Sequence, residues 1–191
     1  MANKRLIIGI TGTTGVIFGV RMVEYLREHQ DNIETYLVIS EVAKKLIKLE
    51  TSTTSDSLSE KATYHFEPEN LAAPIASGSF LTDGMIIIPC SMKTLAAIAN
   101  GYSDNLIARA ADVVLKERRR LVIVTRETPL NTIHLKNMLT LSEAGAIILP
   151  PVPALYYKPN TIDEMINYTI GKVLDVFGIG HKLFERWNSQ E

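Results

Sequence analysis

The feature that most constrains this chain is the alternation of short apolar runs with longer segments of helical period. The runs at 6–10, 35–39, 85–88, 121–124 and 146–149 are rich in Ile, Val and Leu and lack polar alternation. A strand that is apolar on both sides must be covered on both, which predicts a parallel sheet between two layers of helices. Helical patterns fill the gaps at 16–28, 41–49, 94–100, 104–116, 132–143 and 162–177. Strand-helix repetition with right-handed crossovers gives an α/β fold, a single three-layer, doubly wound, Rossmann-like domain with a mainly parallel sheet. At 191 residues the chain is sized for one core, so 1–191 is expected to be a single domain. The least regular stretch, 51–70, reads as a surface excursion holding a short helix and a loop. The tail 178–191, with the lone Trp187, either frays or docks on a neighbouring subunit.

Charge excludes some partners. Lys and Arg number 20 against 21 Asp and Glu, so no field of one sign recruits nucleic acid or an anionic membrane. One cysteine, Cys90, allows neither an intramolecular disulfide nor a zinc site, and points to a reducing compartment, the cytoplasm. The first apolar run is cut short by Gly9, too soon for a signal or membrane helix.

In open α/β sheets ligands sit outside the carboxyl ends of the strands, so chemistry is sought just after each run. The first is followed by Thr11-Gly12-Thr13-Thr14-Gly15, which frees backbone N–H groups at a helix start for a phosphate, or is simply a tight turn. Its spacing departs from the dinucleotide G-x-G-x-x-G, and Ser40-Glu41 after the second run is a weak ribose-binding pair, so NAD is disfavoured. Pro89-Cys90-Ser91-Met92-Lys93-Thr94 offers hydroxyls, an ammonium and a helix start; the plainer reading is a helix cap with Lys93 exposed. No histidine lies near Cys90 in sequence, which favours an inert core thiol over a nucleophile. Arg126-Glu127 pairs a phosphate-binding guanidinium with a carboxylate able to exchange its proton, and Tyr156 follows a rigid Pro-rich segment. Arg109 and Lys116 lie two helical turns apart on one face, while Arg118-Arg119-Arg120 reads as a solvated helix end. Ala76-Ser77-Gly78-Ser79-Phe80 is a second small-residue loop over a ligand, or a turn.

Taken together these strings, with His134-Leu135-Lys136-Asn137-Met138 and Pro150-Pro151-Val152-Pro153-Ala154-Leu155-Tyr156, closely resemble the flavin prenyltransferase (UbiX) family. The resemblance runs in order from the first strand to Trp187, and is strongest to the branch paired with phenolic (hydroxyarylic) acid decarboxylases. It implies that reduced FMN is alkylated at N5 by dimethylallyl phosphate and closed through C6, without metal, giving prenylated FMN for a partner decarboxylase. It implies that Gly12, Thr13, Thr14, Ser40, Ser91, Met92, Lys93, Thr94 and Arg126 bind the flavin nucleotide. Lys116, Arg126, Glu127, Tyr156 and Lys172 would surround the prenyl phosphate, with Glu50 and Thr14 at the flavin's reacting edge. Glu127, Glu50, Thr14 and Lys116 are the catalytic candidates, Glu127 exchanging a proton with the departing phosphate. The family implies a homo-oligomer, commonly a dodecamer, with sites at subunit junctions.

The chemistry asked of such residues is consistent. Loss of phosphate from an allylic carbon leaves an anion that cations stabilise and a carbocation that aromatic faces shield. Three departures stand out: Thr14 replaces a common Ser, Leu71 stands where the ubiquinone branch carries Trp, and Lys172 replaces a frequent Arg. Two rival readings are a cysteine-decarboxylase-like flavoprotein, whose Pro-x-Met-Asn string and helix histidine are missing, and a non-catalytic FMN-binding subunit of a decarboxylase.

Overall fold

The computed structural model describes residues 4–187. Its strands are β1 (Lys4–Ile10), β2 (Ile33–Ile39), β3 (Tyr64–Phe66), β4 (Gly84–Cys90), β5 (Arg120–Thr125) and β6 (Ile147–Ile148). They form one parallel sheet in the order β3-β2-β1-β4-β5-β6. The helices are α1 (Val16–His29), α2 (Glu41–Glu50), α3 (Ser55–Lys61), α4 (Met92–Ala99), α5 (Leu106–Lys116), α6 (Thr132–Glu143) and α7 (Ile162–Val176). The chain winds outward from β1 to β3, then returns to β4 and winds the other way. That reversal opens a crevice at the carboxyl ends of β1 and β4.

Alternation along each strand splits the core into two layers. Leu6, Ile8 and Ile10 point to the face covered by α1, α2, α3 and α7, where they meet Val20, Val23, Ala43, Ile47, Ile170 and Phe177. Ile7, Ile87 and Ile123 point to the opposite face, against Leu95 of α4, Ile107, Ala111 and Val114 of α5, and Leu141 of α6. All of these strand residues are essentially fully buried, each stabilising the fold by roughly 1.5–3 kcal/mol. Gly19 lets α1 settle onto the sheet: a Cβ there would lie 2.8 Å from Ile10 Cδ1 and would strike the Ile88 carbonyl.

Six of the seven helices begin on a side-chain cap: Ser40, Thr54, Ser91, Asn105, Asn131 and Thr161 each accept a first-turn N–H. The exception is α1, preceded by Gly15 at φ 91°, a left-handed conformation that glycine adopts without a Cβ penalty.

Two expectations change here. The stretch 51–70 is not merely a surface excursion: Leu58 of α3 is fully buried, and β3 pairs in parallel with β2, Tyr36 opposite Tyr64. The tail docks on its own chain as far as it is described. Ile179 and the His181 ring are buried, Phe184 packs on Tyr168 of α7, and Arg186 pairs with Asp175 at the end of that helix. Residues 188–191 lie outside the described residues.

Candidate functional site

The loops after β1, β4 and β5 are knitted into one rim at the crevice. Thr11 is buried, donates its hydroxyl to the Pro89 carbonyl at 2.9 Å, and accepts the Ser91 N–H at 2.7 Å. Thr13 donates to the Arg126 carbonyl at 3.3 Å, and the Arg126 N–H reaches the Cys90 carbonyl at 3.3 Å. From the other side, the Ser40 N–H donates to the Ile10 carbonyl at 3.0 Å. Four strand ends are thereby held at fixed spacing by hydrogen bonds worth about 0.5–1.5 kcal/mol each.

Between them lies a cleft of about 430 Å³. Its lining includes Gly12, Thr13, Ser40, Ser91, Met92, Lys93, Thr94 and Glu127, brought together from four separate loops. Ser40 and Ser91 cap α2 and α4, so the capping reading and the cleft-lining reading hold for the same hydroxyls. Both helix starts therefore point their partial positive charge toward the cleft, with unsatisfied first-turn N–H groups available to an anion. Lys93 adds a full charge; no hydrogen bond or ion pair among the described residues holds its ammonium. Gly12 is required by closeness, since a Cβ there would sit 2.5 Å from Val42 on α2. Hydroxyls, helix starts and an ammonium suit a phosphate on a hydroxylated chain, and Val42, Met92 and Ile107 supply apolar surface for a ring.

Glu127 offers a carboxylate to the cleft while its Oε1 accepts the Thr128 N–H at 3.0 Å. The Arg126 guanidinium is half-buried and has no side-chain partner among the described residues. Glu50 has a structural duty: its Oε2 accepts the N–H groups of Gly15 at 2.8 Å and Val16 at 3.3 Å. It thus supplies from α2 the cap that α1 lacks, next to the exposed Thr14, with its charge matched to the helix dipole. Burial raises the Cys90 thiol well above its ordinary pKa, as an inert core thiol requires.

Six expected site residues do not line this cleft: Thr14, Glu50 and Arg126 belong to the rim segments just described, and Lys116, Tyr156 and Lys172 lie elsewhere in the protomer. Lys116 ends α5 just before β5 begins, at the amino edge of the sheet, where its ammonium pairs with Glu117 beside Gly78. The 76–80 loop sits at that same edge, its Gly78 and Phe80 carbonyls each taking a 2.7 Å hydrogen bond from Arg119, so it does not cover the cleft. Arg119 is therefore tied rather than solvated. Arg109 is also committed, to the Ala76 carbonyl and Asp112. Tyr156 and Lys172 lie with the docked tail: Tyr156 donates to the Glu185 carbonyl at 3.1 Å, and the Lys172 ammonium stands 3.9 Å from Asp175. Of Lys116, Tyr156 and Lys172, only Tyr156 follows a strand as the crevice rule asks; Lys116 and Lys172 lie on helices, Lys116 at the opposite end of the sheet.

Glu41, weighed from sequence only as a weak ribose-binding acid, also lines the cleft, and other lining residues were not singled out: Val42, Pro68, Glu69, Asn105 and Ile107. Asn105 was legible as a helix cap. Pro68 and Glu69 were not, because they reach the cleft only through the Pro68 carbonyl accepting the Leu106 N–H at 2.7 Å. Glu41, Glu67 and Glu69 gather their carboxylates at the rim, but Lys44 already pairs with Glu41 at 2.7 Å and Glu67 at 2.6 Å. Among the described residues no helix is long and apolar enough to cross a membrane.

Comparison with known proteins bears on this geometry. A family model described as Flavoprotein matches residues 1–177. A probable UbiX-like flavin prenyltransferase of Bacillus subtilis is 51% identical over 187 residues, 98% of this chain and 91% of that protein. The crystal structure of AnUbiX in complex with FMN and dimethylallyl pyrophosphate superposes with a TM-score of 0.95, with 49% identity across 99% of this chain and 100% of that one. A dodecameric FMN-dependent UbiX-like decarboxylase from Escherichia coli O157:H7 gives a TM-score of 0.94 at 51% identity, covering 97% of this chain and 100% of that one. A polar cleft at the topological switch point, on a chain half identical to these relatives over nearly its whole length, leads to one conclusion: the chain belongs to the flavoprotein family and, within it, to the UbiX-like flavin prenyltransferases.

Proposed function

We propose that this protein transfers the dimethylallyl group of dimethylallyl phosphate to reduced FMN and supplies prenylated FMN to a partner decarboxylase acting on an aromatic acid. A bond forms between flavin N5 and the allylic carbon as the carbon–oxygen bond to phosphate breaks, the N5 proton leaving with the phosphate. Closure of the fourth ring joins C6 to the methyl-bearing alkene carbon; C6 loses a proton and the neighbouring alkene carbon gains one. No metal or external oxidant enters the balance.

The observation that carries this reading is the rim that Thr11 and Thr13 build from the β1, β4 and β5 loops around one cleft. In it Gly12, Thr13, Ser40 and Ser91 to Thr94 hold the flavin nucleotide, with Thr14 and Arg126 at its margins. Glu127 holds and returns the proton that moves with the phosphate. Lys116, Tyr156 and Lys172 reach the flavin from neighbouring copies in a homo-oligomer, a reading supported by their places away from the cleft of their own chain and by the dodecameric relative. The cytoplasm is the assigned compartment, on the strength of a single buried cysteine.

Protein supplied without oxygen with reduced FMN and dimethylallyl phosphate is expected to yield flavin heavier by one five-carbon unit in mass spectrometry. Unchanged flavin at a demonstrably occupied site overturns the assignment in favour of a non-catalytic carrier. Glu127→Gln is expected to bind FMN normally and to turn over about a hundredfold more slowly, the scale typical of a lost acid–base group.

A further inference from the structure

We propose that Arg186 is a further phosphate-binding residue for the prenyl donor, joining Lys172 and Tyr156 in a patch built on the docked tail. The inference rests on the prenyl-transfer assignment above and adds to it a residue that the sequence strings did not include.

The patch is an excess of cations around one carboxylate. Arg186 grips Asp175 with two nitrogens, Nη2 to Oδ1 at 2.6 Å and Nη1 to Oδ2 at 3.1 Å. The Lys172 ammonium stands 3.9 Å from the same Oδ2. His181 is buried and accepts the Leu183 N–H on Nδ1, which leaves Nε2 to donate its proton to Asp175 Oδ1 at 3.1 Å. The imidazole therefore uses acceptor capacity of Asp175 without needing a charge of its own. One carboxylate thus serves two permanent cations, and a positive charge is left over.

The guanidinium is also held in place. It lies over the Phe184 ring at 5.4 Å and its Nη2 stands 3.3 Å from His181 Nε2, while its side chain remains 55% exposed, with Nε unpartnered among the described residues. A guanidinium held by a carboxylate and still exposed at Nε can donate to a phosphate oxygen from a fixed position. Tyr156 donates its hydroxyl to the carbonyl of Glu185, the residue preceding Arg186, and packs edge-on against Trp187 at 5.3 Å. Tyr156, Lys172 and Arg186 come from the 150–160 loop, α7 and the tail; Tyr156 fixes the backbone beside Arg186, and the adjoining aromatic rings give a short alkene an apolar neighbour. Were Arg186 only a tether for the tail, Asp175 would need no second cation beside it.

The test compares Arg186→Gln, Arg186→Lys and Asp175→Asn with the wild-type full chain, anaerobically, with reduced FMN and varied dimethylallyl phosphate. Arg186→Gln is expected to raise the donor KM about tenfold or more, with kcat changed less and FMN affinity unchanged. Arg186→Lys recovers part of that loss, keeping the charge without the fork. Asp175→Asn frees the guanidinium, so inorganic phosphate competes at a lower concentration than in wild type. An unchanged donor KM in Arg186→Gln overturns the proposal. So does a similar rise in Asp175→Asn and Arg186→Gln, which identifies a tether, or a loss of FMN affinity in place of donor affinity, which assigns Arg186 to the flavin's phosphate. Wild-type protein that makes no prenylated flavin removes the parent assignment as well, whereas active wild type with an indifferent Arg186→Gln removes only Arg186.

Discussion

At the scale of single residues, the cleft depends on side chains that are missing as much as on those present. Gly12 passes α2 so closely that a methyl group would have to displace Val42, whose Cβ and Cγ1 both lie 2.5 Å from where it would sit. Gly12→Ala is therefore expected to push the first loop off α2 and weaken FMN binding by about tenfold or more, on the scale of 1–3 kcal/mol for overpacking. Val42→Gly in the same chain should restore part of the affinity, at a helix-propensity cost of about 1 kcal/mol that thermal unfolding can measure. Titration of FMN fluorescence distinguishes the pair, and equal affinity of Gly12→Ala and wild type would show that the loop has room to spare. Thr11 works differently: one buried hydroxyl both donates and accepts, tying the loops after β1 and β4 so that each holds the other in register.

At the scale of elements, α3 and the tail both do more than their sequences suggest. Leu58 is the buried anchor of α3 and packs in the same layer as Leu37 and Ile47. Leu58→Ala is expected to lower stability by about 2–5 kcal/mol, read from the denaturant midpoint, whereas a loose surface segment would lose almost nothing. Tail docking carries a pH dependence of known sign. Arg186, through its hydrogen bonds, and then His181 hold the Asp175 carboxyl below its usual range against the opposing effect of burial. A carboxylate with a depressed folded pKa stabilises above its unfolded value of about 3.9 and loses that contribution as pH falls through the folded one. Acidification into that range should therefore loosen the end of the tail around Trp187 before the core unfolds, while the Ile179, His181 and Phe184 contacts keep it docked. Trp187 is the only tryptophan, so its emission reports the step directly, and Asp175→Asn should abolish the pH dependence.

At the scale of the whole molecule, the separation of Lys116 from Glu127 makes the proposed sharing of a site between copies testable. α5 carries Lys116 to the amino edge of the sheet while Glu127 lines the cleft at the carboxyl edge. If one site draws these residues from different copies, Lys116→Gln and Glu127→Gln proteins should each be nearly inactive alone. Co-expressed hybrids should then recover activity at about a quarter of their sites, the share in which a random mixture supplies both intact residues. A mixture as inactive as its components would place the two residues in one chain's site. Broad apolar exposure supports assembly: Ile133, Leu135 and Leu139 of α6 are each more than half exposed, as are Val152 and Leu155.

Periodicity and strand-end chemistry determined much of this protein by themselves. Apolar runs without alternation dictated a parallel, doubly covered sheet; Ser91 announced a helix start because short polar side chains satisfy orphaned N–H groups; and the strand-end strings resembled the family that the comparisons then showed. Those signals are local, arising from a residue and its near neighbours. Tertiary structure alone decided that 51–70 contributes an edge strand and a wall of the cleft, that Glu50 caps the start of α1, 35 residues earlier in the chain, and that Arg186 and Lys172 share Asp175. Each depends on where the winding of the chain places segments that are remote in sequence, and no local pattern encodes that distance.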